Sequence, residues 1–309
     1  MRGVIVAPLV VAGAVVTMAA SGRVPIRARP PAYVVRVALP SPDAALVLPR
    51  VEGPLDASRP LVVIDAGHGG HDPGANSGLG ATGAEALREK AVTLALAQAL
   101  RDRLLADGRV RVAMTRSDDR FLPLGDRAEI ARRLRADLFV SIHADAAPPV
   151  TDAAGATVPD SAGPAGATVY TLSDTASDDV AARLAQRENA ADMLNGVSLA
   201  GRSAAVSSIL VDLSRESTAR ASQQFSDLVV REASGRIGLH RQPQRQAGFA
   251  VLKSLDLPSA LVEAGYISGR EDAARLADPA WRTTFAQTLA SAVEIFLARR
   301  AAAPGLPGT

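Results

Sequence analysis

The chain has 309 residues, 48% of them hydrophobic and only 3% aromatic, so a core sufficient for one sizeable domain must be built from aliphatic side chains and alanine. A formal net charge of +2 is too small to argue for nucleic acid. The absence of cysteine excludes disulfides, thiol catalysis and cysteine metal sites, so any metal must be held by His, Asp or Glu.

The first 22 residues, "MRGVIVAPLVVAGAVVTMAASG", place Arg2 before an apolar run from Val4 to about Met18, followed by small residues. That layout reads as a secretory signal peptide cleaved near Ala20 to Gly22. The competing reading, an uncleaved anchor, needs a longer apolar run. Residues 23–59 read as an extended lead-in rich in proline and arginine, with one or two edge strands at most. The later chain has no run of about twenty apolar residues, so no span is expected in the mature form.

From Leu61 the pattern becomes regular. "LVVID" reads as a buried strand closed by glycines. From Glu89 to Leu105, Val92, Leu96, Leu100 and Leu104 recur every fourth residue, one face of a helix. "VRVAMT" (110–115) is a second strand, 123–137 a second amphipathic helix and "LFVSI" (138–142) a third strand. This alternation predicts an α/β domain with a parallel sheet and helices packed on it. Ala146 to Ala167 carries only small residues and proline without periodicity, and reads as a long loop. A strand at 168–172 follows. Asp178 to Ser234 is mostly helical with a break at 195–203. "FAVL" (249–252) and "SALVE" (259–263) read as short strands, Trp281 to Arg299 as a closing helix, and residues 301–309 as a disordered tail.

Three of these strands end in a polar loop: "VVID-AGHGG", "FVSI-HAD" and "ALVE-AG". In open parallel sheets sites form at the carboxyl ends of strands, so His68, His143 and Glu263 are expected at one edge. Glu89, in a first helical turn, serves either a helix dipole or a ligand role, with Glu85 as a nearby competitor. Two histidines and a carboxylate make a catalytic zinc set with a fourth position for water, and Glu263 suits a general base. The glycines do not form a nucleotide loop, because no Gly-Lys-Ser/Thr follows and no G-x-G-x-x-G opens a helix. His71 lacks the convergence of the other two, and His240, in a polar stretch with Arg241 and Arg245, reads as surface.

With those residues assembled, the sequence resembles the zinc-dependent N-acetylmuramoyl-L-alanine amidases of the periplasmic cell-division type. The matching pieces are "VIDAGHGGHDPGA", "REKAVTLALAQALRDRL", "VAMTRSDDRFLPLGDRAEIA", "ADLFVSIHADA", "ENAADMLNGVSL" and "AGFAVLKSLDLPSALVEAGYIS", in family order from Leu61 to Leu297. The resemblance implies a single domain, about residues 60–300, around a six-stranded, mainly parallel sheet. It implies zinc ligands at His68, Glu89 and His143, a catalytic glutamate at Glu263, and hydrolysis of the amide between N-acetylmuramic acid and L-alanine of peptidoglycan. It further implies a periplasmic enzyme of cell separation, with a helical regulatory insertion at about 181–217 that a partner with a degenerate LytM-type domain displaces. Glu188 is the carboxylate placed to reach the open zinc position, or else a solvated helix charge. Two departures stand out. The segment between "GHGG" and "REK" is longer than is typical, which keeps Glu85 in play beside Glu89, and residues 23–59 are too short for the usual N-terminal targeting domain. A metallo-peptidase cutting within the stem peptide and a non-catalytic wall-binding protein are the competing functional classes.

Overall fold

The computed structural model describes residues 46–77, 87–147, 150–151, 157–158, 165–192, 208–254 and 256–302, with the backbone alone for 150–151, 157–158 and 208–214. The expected signal peptide, most of the lead-in, Glu85, the helical break at 195–203 and the last seven residues of the tail lie outside them.

The chain alternates as its periodicity predicts. Strand β1 (Leu61–Ala66) leads through the glycine loop to helix α1 (Glu89–Asp107), then β2 (Arg111–Met114), α2 (Leu124–Arg133) and β3 (Leu138–His143). A short antiparallel pair, β4 (Val150–Thr151) and β5 (Thr157–Val158), is followed by β6 (Ala167–Leu172), α3 (Asp179–Asn189), α4 (Ser208–Ala233) and β7 (Leu239–Ala247). A 3-10 turn at Ala250–Leu252, β8 (Ser259–Glu263), α5 (Arg270–Ala277) and α6 (Pro279–Ala302) complete the order.

The main sheet runs β2-β1-β3-β8-β6-β7. The first four strands are mutually parallel, β6 joins β8 antiparallel, and β7 is parallel to β6. Alternation along each strand divides the core. Val62, Ile64, Val140, Ile142 and Val262 pack under α1, α4 and α6. Leu61, Val63, Phe139, Leu261 and Tyr170 pack under α2 and α3. The Val92/Leu96/Leu100/Leu104 stripe of α1 is buried as its spacing requires, and the helix stops at Gly108, whose φ of 61° is left-handed. No helix among the described residues is long and apolar enough to cross a membrane.

Three expectations change. "FAVL" is not a strand: it forms the 3-10 turn, and the strand beside β6 is the preceding stretch Leu239–Ala247. That segment hid because its residues are polar and include Pro243, which an edge strand tolerates. The loop at 146–167 contains the β4/β5 pair, formed by its Val and Thr residues, the β-branched types that favour strands. Helix α2 ends at Arg133 rather than at 137, with Arg135 in the left-handed region at φ 53°.

Candidate metal centre

The end of β1 is shaped by two buried arginines. Arg127 donates from Nη1 to Asp65 Oδ1 (2.9 Å) and to the Ala66 carbonyl (2.8 Å), from Nη2 to the His68 carbonyl (2.8 Å), and from Nε to Leu122 (3.1 Å). Arg116 donates from Nε to the Ala66 carbonyl and from Nη2 to the Gly67 carbonyl, each at 2.8 Å. Three successive carbonyls are thus clamped, which supports His68 in a left-handed conformation (φ 61°) that a residue with a Cβ rarely adopts. Gly67 is needed for a different reason: a Cβ there would lie 2.5 Å from Cε1 of His143.

The clamp turns the His68 imidazole toward His143, from the last position of β3, and Glu89, the first residue of α1. Glu89 is fully buried, with Oε2 accepting from the Ala75 amide (2.8 Å) and Oε1 from the Ala144 amide (2.9 Å). Its Oε2 is 3.1 Å from His68 Nε2 and its Oε1 is 3.3 Å from His143 Nδ1. Glu188, on α3, puts Oε2 at 3.4 Å from His68 Nε2 and 3.2 Å from His143 Nδ1. The ligand atoms of these four side chains all lie within 4.8 Å of one another.

This arrangement fits a divalent cation. Nε2 of His68 and Nδ1 of His143 are buried and make no hydrogen bond among the described residues. The other ring nitrogen of His68, Nδ1, meets Asp72 Oδ2 at 2.9 Å, the carboxylate–imidazole support found behind metal-ligating histidines. Electrostatics agree. Burial opposes charge on His143, but Glu188 and Glu89 outweigh it and raise its pKa to about 10. Burial likewise opposes charge on His68, and Glu89 and Glu188 raise its pKa well above the usual value. Burial disfavours the charged form of Glu188, but His143 and His68 hold its carboxyl down to about 2. The two carboxylates therefore demand positive charge at this point, and neutral imidazoles around a dication meet the same demand.

Glu263 ends β8 directly opposite His143 in the parallel ladder. Its Oε2 accepts from the Asp145 amide at 3.0 Å, and its Oε1 has no hydrogen-bond partner among the described residues. Burial raises its pKa; His143 opposes this, but Asp145, Glu89 and Glu188 add to it, and the net shift is well upward. A carboxyl raised in this way is suited to accept a proton near neutral pH.

Residues 62–295 match the family described as N-acetylmuramoyl-L-alanine amidase. The chain belongs to this amidase family. It is 36% identical to N-acetylmuramoyl-L-alanine amidase AmiC of Escherichia coli over 80% of this chain and 55% of that one. It is 38% identical to amidase AmiA of Escherichia coli over 75% of this chain and 74% of that one. Among solved structures, N-acetylmuramoyl-L-alanine amidase AmiC2 of Nostoc punctiforme is similar at 28% identity and a TM-score of 0.50, covering 78% of this chain and 98% of that one. The chain spans about half the length of the AmiC relatives it matches (55% and 53%).

The structure brings His68, Glu89, His143 and Glu188 together, with Glu263 opposite His143 on the neighbouring strand. His71 is exposed against the Phe121 ring and takes no part. His240 is not on the surface: it is 7% exposed, on β7 beside Tyr266, because a polar edge strand still turns some side chains inward. Asp72, Arg116 and Arg127 escaped sequence reasoning. One signal was available for Arg127, which falls on the buried stripe of α2 with Leu124, Ile130 and Ala131.

Helix α3 lies over the centre. Its Asp178 cap accepts from the Ala181 amide at 2.8 Å, and Ala181, Leu184, Ala185 and Glu188 form its buried stripe. At its far end Arg187 pairs with Asp145, while Asn189 bonds the Gly248 carbonyl (2.8 Å) and the Ala250 amide (2.7 Å). The gap left over the cluster, lined by His68, His143, Glu188 and Phe121, is about 10 Å³, on the order of one water.

Proposed function

We propose that the chain is a zinc-dependent N-acetylmuramoyl-L-alanine amidase, cutting the amide between the lactyl group of N-acetylmuramic acid and L-alanine of the peptidoglycan stem peptide. The observation that carries this is the meeting of two orphaned imidazole nitrogens and the Glu89 carboxylate beside the buried, raised-pKa Glu263. The family membership supplies the substrate class.

In this reading His68, Glu89 and His143 hold the metal, and Asp72 fixes the tautomer and orientation of His68. Zinc, when bound, supplies Lewis-acid activation of water and of the scissile carbonyl. Glu263 takes the proton of the attacking water at Oε1 and passes it to the departing amine of L-alanine, so the carboxylate is regenerated. Asp145 positions Glu263 by donating its backbone amide to Oε2.

The same reading makes α3 an inhibitory lid. Glu188 stands where an incoming oxygen would approach the ligands, and the gap is too small for a muramoyl peptide. Release by a partner with a LytM-type domain, export through residues 1–22 to the periplasm, and a role in cell separation belong to the proposal. The test is digestion of purified sacculi by zinc-loaded Glu188→Ala protein, with mass spectrometry of the products. Stem peptides with a free N-terminal L-alanine and peptide-free glycan are expected. Cuts within the stem peptide, or intact sacculi, overturn the reading.

A further inference from the structure

Helix α3 is moored by a carboxylate at each end. Glu188 enters the histidine cluster at one end. At the other, Asp178 places Oδ2 at 3.7 Å from Nε of Arg245. Arg245 is only 7% exposed, yet Nη1 has no hydrogen-bond partner among the described residues and Nη2 has one, Gln242 Oε1 at 3.1 Å. A guanidinium presents five donors in a rigid fork suited to a carboxylate. Here that fork serves one amide oxygen, meets the Tyr170 hydroxyl and faces one carboxylate beyond hydrogen-bond distance. The contrast with Arg116 and Arg127 is plain, since their donors are spent on backbone carbonyls and Asp65.

Register puts Arg245 on the catalytic face. It lies opposite Tyr170 on β6, Tyr170 lies opposite Leu261 on β8, and Thr168, two residues from Tyr170, lies opposite Glu263. Gln244 and Gln246 point the other way, to Asp227 and Gln223 of α4. Tyr170 and Leu261 sit in the cluster that α3 covers. When α3 lifts, Arg187 and Asp178 leave with it, and Arg245 stays on the sheet as a cation with spare donors. It is two strand spacings across the sheet and two residues along it from Glu263, ~12 Å, a distance an extended peptide covers in about three to four residues.

Resting on the amidase reading above, the geometry points to Arg245, with Tyr170 beside it, as the subsite for a peptide carboxylate about three or four residues beyond the scissile amide. Asp178 holds that place in the closed state. Helix α3 therefore mimics the substrate at two points, with Glu188 at the metal ligands and Asp178 at the anion subsite. The consequence is a preference for acidic over amidated stem peptides.

The experiment uses the full-length Glu188→Ala protein loaded with zinc and two soluble N-acetylmuramoyl peptides, one with free side-chain and terminal carboxylates and one with all of them amidated. The ratio of the two kcat/KM values is read, because a ratio within one enzyme cancels the position of the lid. A preference of about tenfold or more for the free acid is expected, the size of a charge-assisted hydrogen bond, expressed mainly in KM. Adding Arg245→Gln should bring the ratio near one, and Arg245→Lys should restore part of it. An unchanged ratio in Arg245→Gln overturns the subsite. Equal kcat/KM on the two peptides in Glu188→Ala alone also overturns it, whether or not the Gln variant folds. Failure to cut either peptide at the muramoyl–alanine bond instead overturns the amidase reading itself.

Discussion

Oε2 of Glu188 lies 3.2 Å from Nδ1 of His143, although one residue belongs to a helix laid over the sheet and the other ends a central strand. The pair joins α3 to the cluster it lies over. Replacing Glu188 by Ala removes that joint while keeping the apolar stripe Ala181/Leu184/Ala185. Amidase activity on sacculi should rise about tenfold or more, as expected if the contact of Glu188 with the centre favours the closed position of α3 by ~1.5–3 kcal/mol, the range of an interaction with a charged group. Dye release from labelled sacculi checks this, and an unchanged rate would remove Glu188 from the regulation.

Glu263→Gln keeps the shape of the side chain and its contact with the Asp145 amide but cannot accept a proton. Turnover should fall by about 10²–10⁴ while the zinc content, read by atomic emission, stays the same. Loss of metal together with activity would mean that Glu263 is a ligand instead.

Arg127→Met strips hydrogen bonds from Asp65 and from the carbonyls of Ala66, His68 and Leu122. Breaking a buried charge pair costs about 3–5 kcal/mol, which urea unfolding would read. Because the His68 carbonyl loses its clamp, zinc affinity measured by chelator competition should drop about 10–100-fold.

Gly67→Ala places a methyl group 2.5 Å from the His143 ring. The ring or the loop must move, with a destabilisation of about 1–3 kcal/mol and weakened zinc binding. A variant with unaltered zinc affinity would show that the loop relaxes without disturbing His143.

The metal-free protein should respond to pH in a defined window. The folded-state pKa of His143 is raised from 6.5 to about 10, so its contribution is complete below 6.5 and disappears as pH rises through about 10. That of Glu188 is depressed from 4.5 to about 2, so its contribution is present above 4.5 and is lost as pH falls through about 2. Metal-free stability should decline from pH 6.5 towards 10. Zinc uptake at neutral pH should release protons, since it needs neutral imidazoles. Calorimetry in buffers of different ionisation enthalpy reads that release, and a slope of zero would contradict it.

Much of this was legible in the sequence because it depends on apolar runs. Strands β1, β3 and β8 are buried, mainly hydrophobic stretches, and their ends carry His68, His143 and Glu263 to one edge. Glu89 remained ambiguous because a carboxylate in a first helical turn has an ordinary dipole role. What separates it is the pair of amides from Ala75 and Ala144 that close on it, a contact between distant segments with no trace in local periodicity. Arg116 bonds backbone carbonyls, which every residue has, so no pairing pattern betrays it. Strand β7 was invisible for the opposite reason: at an edge the sheet accepts polar side chains and a proline, and the hydrophobic alternation that marks strands is absent.

One ladder has a consequence for anyone wishing to retune this centre. His143 and Glu263 occupy opposed positions on adjacent parallel strands, so their separation is set by main-chain hydrogen bonding and not by any loop. Loop engineering around the rim can widen or narrow access, but it leaves that gauge untouched. Shortening Glu263 to Asp withdraws the carboxyl by one methylene with no neighbouring hinge to take up the slack. The centre is thus a fixed ruler: variation in access comes from the segments above the sheet, while the spacing of His143 and Glu263 stays as the ladder sets it.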